Sequence, residues 1–293
     1  MTRTVWNLAG KVVLITGGAR GIGAAVATEL AGRGAIPVLA DIDEAALADT
    51  AGSIPSATAI VLDVRDYAAC QQAVGEVLEK YGRLDIVWAN AAIAAGGPVE
   101  LVDADVWTRV IEVNLIGAYN TVRAALGSII EAKGYVAITA SVASFGHAPA
   151  LSAYNATKAG VEAFANSLRI EVAHQGVAVG ALHPTWIDTD MVRDATRESL
   201  AFARLNKSMR PPFARTYSIE SIVTPIADAF AARRARVYLP RFVRVAHIMR
   251  ALLHTRAMER DLLKAAPEIR LLFIEQAADQ GSRRAALGSR WTS

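Results

Sequence analysis

Tyr154 and Lys158 lie four residues apart in the stretch SAYNATKAG (152–160), which otherwise has the composition of a helix. Side chains with this spacing are neighbours on one helical face, and a cation beside a phenol favours the phenolate. A tyrosine whose pKa falls by roughly three units from its usual value near 10 could exchange protons near neutrality. The pair therefore suggests acid–base chemistry, although a solvated tyrosine and a solvated lysine would have the same spacing.

A glycine-rich turn, TGGARGIG (16–23), connects the first apolar run to a helical segment. Gly17 permits a tight turn with positive φ. Gly21 and Gly23 allow the backbone to approach a phosphate and the helix to pack on a sheet, and the helix start offers free N–H groups to an anion. Because the turn follows the first strand of an alternating chain, it predicts dinucleotide binding rather than a simple reversal.

Asp41 ends the second apolar run, about 20 residues beyond the glycine turn. A carboxylate at this position binds the ribose hydroxyls of NAD and repels the 2′-phosphate of NADP. Helix capping is its alternative role. Arg20, within the turn, could contact a phosphate, so NAD is the predicted cofactor and NADP remains an alternative.

Strand-like and helical segments alternate along the chain. Short apolar runs predict strands at 11–16, 36–41, 57–64, 84–92, 135–141, 177–184 and 236–240. Helical spacing predicts helices at 21–34, 43–52, 66–80, 104–131 and from Tyr154 to about His174. This alternation predicts an α/β fold, a doubly wound Rossmann-type parallel sheet of about seven strands with helices on both faces. We assign residues 1–240 to one dinucleotide-binding and catalytic domain, with its ligands at the carboxyl ends of the strands.

Composition excludes several classes of protein. The 293 residues contain one cysteine, Cys70, which excludes an internal disulfide framework and fits a reducing compartment. No signal peptide, spanning run of apolar residues or nucleic-acid motif is found, so the expected location is cytoplasmic. The net charge of +3 is uneven: ten Lys or Arg against five Asp or Glu after Pro240 give that segment +5 and the remainder −2.

The order of motifs resembles the short-chain dehydrogenase/reductase family, in its shorter NAD(P)-dependent subclass, over roughly residues 7–240. The matching motifs, in chain order, are T-G-x-x-x-G-I-G at 16–23, Asp63-Val64, Asn90-Ala91-Ala92, Asn114, Ser141, Tyr154-x-x-x-Lys158, and Pro184 with Thr189 and Met191.

The resemblance implies a role for each matching residue. Tyr154 would be the general acid for carbonyl reduction and the base for alcohol oxidation, and Lys158 would lower its pKa and hold the nicotinamide ribose. Ser141 would polarise the substrate oxygen, and Asn114 would position a water behind the lysine. Asp63 and Val64 would meet the adenine, and Ile187 and Thr189 the nicotinamide carboxamide. The full predicted cofactor set is Gly17, Arg20, Gly21, Ile22, Gly23, Asp41, Asp63, Val64, Asn90, Ala91, Tyr154, Lys158, Pro184, Ile187 and Thr189.

Two positions depart from the family pattern. Ala92 and Thr185 each replace a usual glycine, and a β-branched Thr185 disfavours positive φ. Neither change removes a catalytic group. We therefore predict an NAD-dependent dehydrogenase of a secondary alcohol or its ketone. The alternatives are an NADPH-dependent carbonyl reductase and a noncatalytic protein that senses NAD.

Three segments are expected to form the substrate pocket: residues 93–98, 142–151 and the long stretch 185–213. Their apolar members indicate a hydrophobic alcohol or ketone, with lid packing as the alternative use of the same side chains: Phe145, Leu151, Trp186, Met191 and Phe202. His147 could contact substrate, whereas His183 is predicted to be a packed strand residue. The spacing of ligand-type residues indicates no metal site.

A helical, basic extension is expected over residues 241–293. The stretch 242–277 predicts two helices divided near Pro267, with apolar positions and arginines interspersed. Such a face could lie on an anionic membrane, but docking on the body or on a second subunit is favoured, with the extension also walling part of the substrate cleft. We expect a homodimer or homotetramer, and a frayed end over 281–293.

Overall fold

Within residues 5–287, which the computed structural model describes, a parallel sheet forms the centre of the molecule. Its strands are β1 (Val12–Thr16), β2 (Ile36–Asp41), β3 (Thr58–Val61), β4 (Ile86–Ala89), β5 (Tyr135–Thr139), β6 (Ala178–Pro184) and β7 (Arg236–Leu239). The helices up to β7 are α1 (Gly21–Gly32), α2 (Glu44–Ser53), α3 (Tyr67–Tyr81), α4 (Ala104–Ile111), α5 (Gly117–Glu131), α6 (Ser152–Glu171), α7 (Asp190–Glu198), α8 (Leu200–Ser208) and α9 (Glu220–Ala231). After β7 come α10 (Val243–Ile248), α11 (Arg250–Leu253), α12 (Arg256–Gln280) and α13 (Ser282–Leu287).

The strand order is β3-β2-β1-β4-β5-β6-β7, and all neighbouring strands are parallel. Side chains of β1 alternate between two cores: Val12 and Leu14 face the core that contains residues of α3, α5 and α6, whereas Val13 and Ile15 face residues of α1 and α9. Both faces of the sheet are therefore covered, which explains the nearly continuous apolar strands. The structure confirms the predicted doubly wound fold.

A third apolar cluster lies beyond the carboxyl ends of the strands. It joins Leu205 of α8 to Ile269 and Phe273 of α12, and it also contains Ile93 and Leu151 from the loops after β4 and β5. The C-terminal helices thus dock on the body, as predicted. The division of the chain into a domain ending at residue 240 and an extension remains a prediction.

The predicted division of the tail at Pro267 is wrong. Helix α12 runs through Pro267 without interruption, and the tail is divided instead around His254 and Thr255. Pro267 and Leu263, four residues earlier, are both exposed. Water can therefore solvate the carbonyl that the proline leaves without a donor, while buried residues on the opposite face hold the helix in place.

The expected fraying after residue 281 is also wrong for the part that the structure describes. Ser282–Leu287 forms α13, and its Ala285 and Ala286 are buried. The Gly96 amide donates to the Ala286 carbonyl at 3.0 Å, and the Ser282 hydroxyl donates to Asp103. Residues 288–293 lie outside the described part of the chain. Among the helices described, none is long and apolar enough to cross a bilayer.

Candidate active site

A cleft of about 490 Å³ opens at the carboxyl ends of the strands, where the strand order reverses between β1 and β4. Of the predicted site residues, those that line it are Gly17, Arg20, Gly21, Ile22, Asp41, Asp63, Val64, Asn90, Ala91, Ser141, Tyr154, Lys158, Pro184, Ile187 and Thr189. Gly23 and Asn114 lie behind its wall. The fold therefore brings residues from most of the chain to one place, which is where doubly wound sheets bind ligands.

The glycine turn has the backbone geometry that its sequence predicts. Gly17 and Gly21 have φ angles of +67° and +58°, which favour glycine. A Cβ on Gly23 would lie 2.2 Å from the Gly17 carbonyl oxygen, so α1 could not pack this closely on the turn with any larger residue. The Asn90 side chain donates to the same oxygen at 3.1 Å and ties the end of β4 to the turn. This turn suits a dinucleotide phosphate.

Asp41 lines the cleft, and hydrogen bonds from nearby backbone amides fix its carboxylate. Its two carboxylate oxygens accept from the Ala19 and Asp43 amides, each at 3.1 Å. Asp43 caps α2 by accepting from the Ala46 amide, so the capping role considered for Asp41 belongs to Asp43. Arg20 pairs with that same Asp43. Asp41 thus lines the cleft as a fixed carboxylate, while the guanidinium of Arg20 is already paired with Asp43.

Asp63 and Val64 form the adjoining wall. Burial disfavours the charge of Asp63, but hydrogen bonds from Arg65 lower the pKa of the carboxyl below its usual value. Val64 packs against Gly117, where an added Cβ would lie 2.5 Å from the valine methyl. The absence of a side chain at Gly117 lets Val64 occupy this position.

The inner wall of the cleft contains three of the predicted catalytic residues, Tyr154, Ser141 and Lys158. Ser141 follows β5, where its hydroxyl accepts from the Ala143 amide and is 3.4 Å from the Pro184 carbonyl. Tyr154 and Lys158 lie one turn apart at the start of α6, and the Lys158 ammonium is 5.5 Å from the centre of the Tyr154 ring. The predicted neighbour relation on one helical face is therefore present.

The predicted effect of Lys158 on the phenol is not found in this structure. Burial raises the pKa of Tyr154 to about 12, and a hydrogen bond with Ser141 offsets only part of that rise. Burial also lowers the pKa of Lys158 to about 8. The ammonium donates to the Thr139 carbonyl at 2.8 Å, and desolvation has the largest effect on the pKa of the phenol. Tyr154 is consequently a neutral proton donor near pH 7.

Asn114 lies in a single π-helical turn, Glu112–Ile116, between α4 and α5. Its side-chain oxygen accepts from the Ile93 amide at 2.8 Å, and its nitrogen donates to the Ile93 carbonyl at 2.9 Å and to the Thr157 hydroxyl at 3.3 Å. The amide thus fixes the loop after β4 that lines the cleft. Such π-turns are frequent at functional sites; the water-positioning role stays a prediction.

Ala92 and Thr185, which replace the family's glycines, fit without backbone strain. Neither is among the described residues with positive φ, and both side chains line the cleft. The Thr185 amide donates to the Leu239 carbonyl at 2.9 Å, which extends the pairing of β6 with β7. Both departures therefore add a side chain to the lining of the cleft without requiring positive φ.

A second cavity, of about 60 Å³, adjoins the cleft at Met191, which lines both. Leu151 and Phe202 of the predicted pocket line it, together with Ala285 and Ala286 of α13. Trp186 packs edge-on against Phe202. The extension therefore walls this cavity; that it walls part of the substrate cleft remains a prediction.

Phe145 and His147 are placed differently from the expected pocket. Phe145 is buried against His183 and His247, behind the site. His147 stacks on His254 of the tail at 4.8 Å, and neither cavity includes it. His183 is fully buried, as a packed strand residue would be.

Sequence reasoning missed Thr139 and Arg109. Thr139 accepts from Lys158 through its carbonyl, and its hydroxyl donates to the Asn90 side chain at 3.0 Å. Because the site lies at the carboxyl ends of the strands, the position of Thr139 at the end of β5 could have identified it from the sequence. Arg109 lines the cleft from α4, a helix whose sequence carries no motif.

A parallel sheet with its order reversed at the cleft, a glycine turn at the first helix and a tyrosine–lysine pair define a Rossmann-type oxidoreductase. The sequence pattern of the short chain dehydrogenases matches residues 11–200. The chain belongs to this family, whose members include enzymes that act on CH–OH groups.

Two named enzymes and one solved structure are similar to this chain. The meso-2,3-butanediol dehydrogenase of Serratia marcescens is 32% identical over 203 residues, covering 66% of this chain and 81% of the relative. The (−)-trans-carveol dehydrogenase of Rhodococcus erythropolis is 35% identical over 209 residues, covering 63% and 74%. A 3-ketoacyl-(acyl-carrier-protein) reductase of Brucella melitensis, solved with NADH, superposes with a TM-score of 0.71 at 29% identity, covering 79% of this chain and 97% of that chain.

Proposed function

We propose that this protein is an NAD-dependent dehydrogenase that interconverts a hydrophobic secondary alcohol and its ketone. The observation that carries the proposal is the meeting of Tyr154, Ser141 and Lys158 in the same cleft as the glycine turn and Asp41. The carveol and butanediol dehydrogenases among its relatives act on alcohols, which supports the same class of reaction.

The shape and chemistry of the cleft fit a dinucleotide. The glycine turn and the start of α1 would hold the phosphates, Asp41 the adenosine ribose, and Lys158 the nicotinamide ribose. When bound, the nicotinamide accepts or supplies the hydride. The fixed carboxylate of Asp41, beside an Arg20 already paired with Asp43, favours NAD over NADP.

The protein itself would move the proton. In the reducing direction the neutral phenol of Tyr154 would donate its proton to the carbonyl oxygen of the substrate. In the oxidising direction the phenolate takes the hydroxyl proton. Ser141 orients the substrate oxygen, and the Lys158 ammonium favours the phenolate when it forms.

The apolar cavity beside the catalytic wall supports a hydrophobic substrate. Met191, Leu151 and Phe202 present hydrocarbon to it, and the alanines of α13 close it from the far side. A small or branched apolar group on the carbinol carbon would be accommodated there, away from the hydrogen-bonding groups of the cleft.

A screen of secondary alcohols tests the proposal, with NADH absorbance as the readout and NAD or NADP supplied separately. Turnover of hydrophobic secondary alcohols with NAD, and weaker turnover of polyols, is the expected result. Tight NAD binding without turnover of any alcohol or ketone would instead identify a protein that senses NAD.

A further inference from the structure

A buried group of ligand-type side chains lies behind the catalytic wall. It consists of Glu162 on α6, one helical turn after Lys158, His183 in β6 next to Pro184, and His247 on α10. One donor atom from each of the three cluster residues lies within 4.8 Å of the others. These residues are distant in sequence, so no spacing pattern could have indicated the cluster.

His183 is the residue of this group whose hydrogen-bonding groups are least satisfied. Its side chain has no exposed surface, and neither ring nitrogen makes a hydrogen bond within the described structure. Nε2 lies 3.2 Å from the Glu162 carboxylate, close enough in distance but outside hydrogen-bonding geometry. A fully buried polar group without a partner is costly, and this one points toward an anionic oxygen.

His247 is oriented by a second hydrogen bond. Its Nδ1 is 3.0 Å from the Tyr238 hydroxyl, and its Nε2 is 2.8 Å from the other Glu162 oxygen. Because an ionised carboxylate only accepts, Nε2 donates to Glu162 and Nδ1 accepts from the Tyr238 hydroxyl. In the metal-binding tautomer the proton would move to Nδ1, which would then donate to Tyr238 and leave the Nε2 lone pair for the ion. Histidines that bind metals characteristically donate their other ring N–H in this way.

We propose that Glu162, His183 and His247 form a binding site for Zn²⁺. Two imidazoles and one carboxylate are donors that zinc prefers, and with three protein ligands the fourth position is open to water. The Glu162 carboxylate, which lies 3.2 Å from His183 Nε2 and 2.8 Å from His247 Nε2, supplies a negative charge to the ion.

Two features bear on metal affinity. Tetrahedral zinc with bonds of about 2.0–2.1 Å needs donors about 3.3 Å apart. The two imidazoles already lie 3.2 and 2.8 Å from Glu162 oxygens, and the three donor atoms lie within 4.8 Å of one another, so small side-chain movements would complete the site. The exposed Arg250 guanidinium lies 3.5 Å from Glu162 and must release the carboxylate when the cation enters. Arg250→Gln is accordingly expected to strengthen zinc binding several-fold.

A bound ion would connect three elements of the molecule. It would tie the C-terminal extension, through His247, to the catalytic helix α6 and to the end of β6. Because α7, α8 and α9 lie between His183 and His247 in the chain, the ion would also close a long loop of chain. Zinc binding would therefore raise the unfolding temperature of the full chain.

The test uses the full-length protein freed of metal with a chelator and then titrated with ZnCl₂ against a chromophoric competitor. We expect one tightly bound Zn²⁺ per chain and a rise in unfolding temperature. Substitution by Co²⁺ should give the visible absorption of a tetrahedral site. His247→Asn and Glu162→Gln should weaken binding by at least about a hundredfold, and Tyr238→Phe by about tenfold.

Two matched variants control for other histidines. His174→Asn removes an exposed imidazole, and His254→Asn removes the one stacked on His147; both should bind zinc like the parent. If Glu162→Gln fails to fold, His247→Asn on the surface-facing tail decides the matter. Absence of stoichiometric binding, or binding that His247→Asn leaves unchanged, would overturn the proposal.

Discussion

Tyr154 is a neutral phenol at physiological pH, because burial raises its pKa to about 12. A neutral phenol serves ketone reduction directly, whereas alcohol oxidation requires the small phenolate fraction, which grows with pH. We expect the rate of alcohol oxidation at saturating NAD to rise up to about tenfold per pH unit below about pH 8. Above that the rise should level off, because Lys158, with a pKa of about 8, loses its charge. Initial rates in both directions provide the measurement, and an oxidation rate that is flat or falls from pH 6 to 8 would contradict this assignment.

Cofactor preference depends on Asp41. We expect the parent protein to prefer NAD to NADP by at least about tenfold, equivalent to roughly 1.4 kcal/mol, because this carboxylate would repel a 2′-phosphate. Asp41→Ala should reduce that ratio, measured as kcat/KM for the two cofactors. Equal use of NAD and NADP by the parent would refute the ribose role.

Asp43 provides an independent test of cofactor preference, because it pairs with Arg20. Asp43→Ser keeps a side chain that can cap α2 but removes the partner of Arg20. The freed guanidinium should then attract a 2′-phosphate, so the KM for NADP should fall several-fold while that for NAD changes little. An unchanged KM for NADP would show that Arg20 does not reach this part of the cofactor.

Residue types and their chain order were sufficient to predict most of the cleft, because motif residues at strand ends converge on one edge of a parallel sheet. Which side chains pair with each other was not predictable from the sequence. The pairing of Arg20 with Asp43, and the meeting of Glu162 with His247, depend on side-chain directions that a sequence does not encode locally. The pKa of Tyr154 was mispredicted for the same reason, since spacing reveals the neighbouring Lys158 but not the burial that opposes it.

At the scale of elements, helix α12 docks on the body of the protein through a few of its buried side chains. Phe273 is 1% exposed and packs so closely on Gly97 that an added Cβ there would lie 2.8 Å from the ring. Phe273→Ala should lower the free energy of unfolding by about 3–5 kcal/mol if the chain unfolds as one unit. Leu271→Ala, on the exposed face of the same helix, should change it by less than about 0.5 kcal/mol. Denaturant unfolding of both variants makes the comparison, and similar effects for the two would show that α12 is not docked through Phe273.

The strands and helices of the sheet region were predictable because their apolar periodicity is strong and glycines mark the helix ends. Prediction failed in the tail. Pro267 suggested a helix break, but an exposed proline is tolerated within a long helix whose opposite face is buried at Ala265 and Ile269. Which face is buried depends on α8 and on the loop after β4, and local sequence does not contain that information.

At the scale of the whole molecule, the C-terminal helices pack against α8 and against the loop after β4. Truncation after Pro240 should leave the sheet and the cleft of Tyr154 in place. It should expose the apolar cluster around Leu205 and Leu151 and remove the walls that Ala285 and Ala286 give to the small cavity. We expect lower solubility or a changed oligomeric state by light scattering, and a broader substrate range. Unchanged assembly, solubility and substrate range after truncation would contradict the docking observed here.

The tail also presents an outer apolar surface, formed by Val245, Ile248 and Leu252, each at least half exposed. This surface lies within the segment that carries the excess of basic charge. Co-sedimentation of the full-length protein with anionic vesicles at low and high salt distinguishes a membrane contact, which salt weakens, from a subunit contact, which light scattering detects. We predict the subunit contact.

The central claim is that Tyr154 transfers the proton in an NAD-dependent oxidation of a secondary alcohol, and Tyr154→Phe tests it most directly. The substitution removes the transferable proton and keeps the ring. We expect kcat to fall by about 10²–10⁴-fold, with NAD affinity by fluorescence titration within about threefold of the parent. Tyr119→Phe, at an exposed tyrosine on α5, should retain full activity. A Tyr154→Phe protein that turns over a secondary alcohol within a few-fold of the parent rate would contradict the claim.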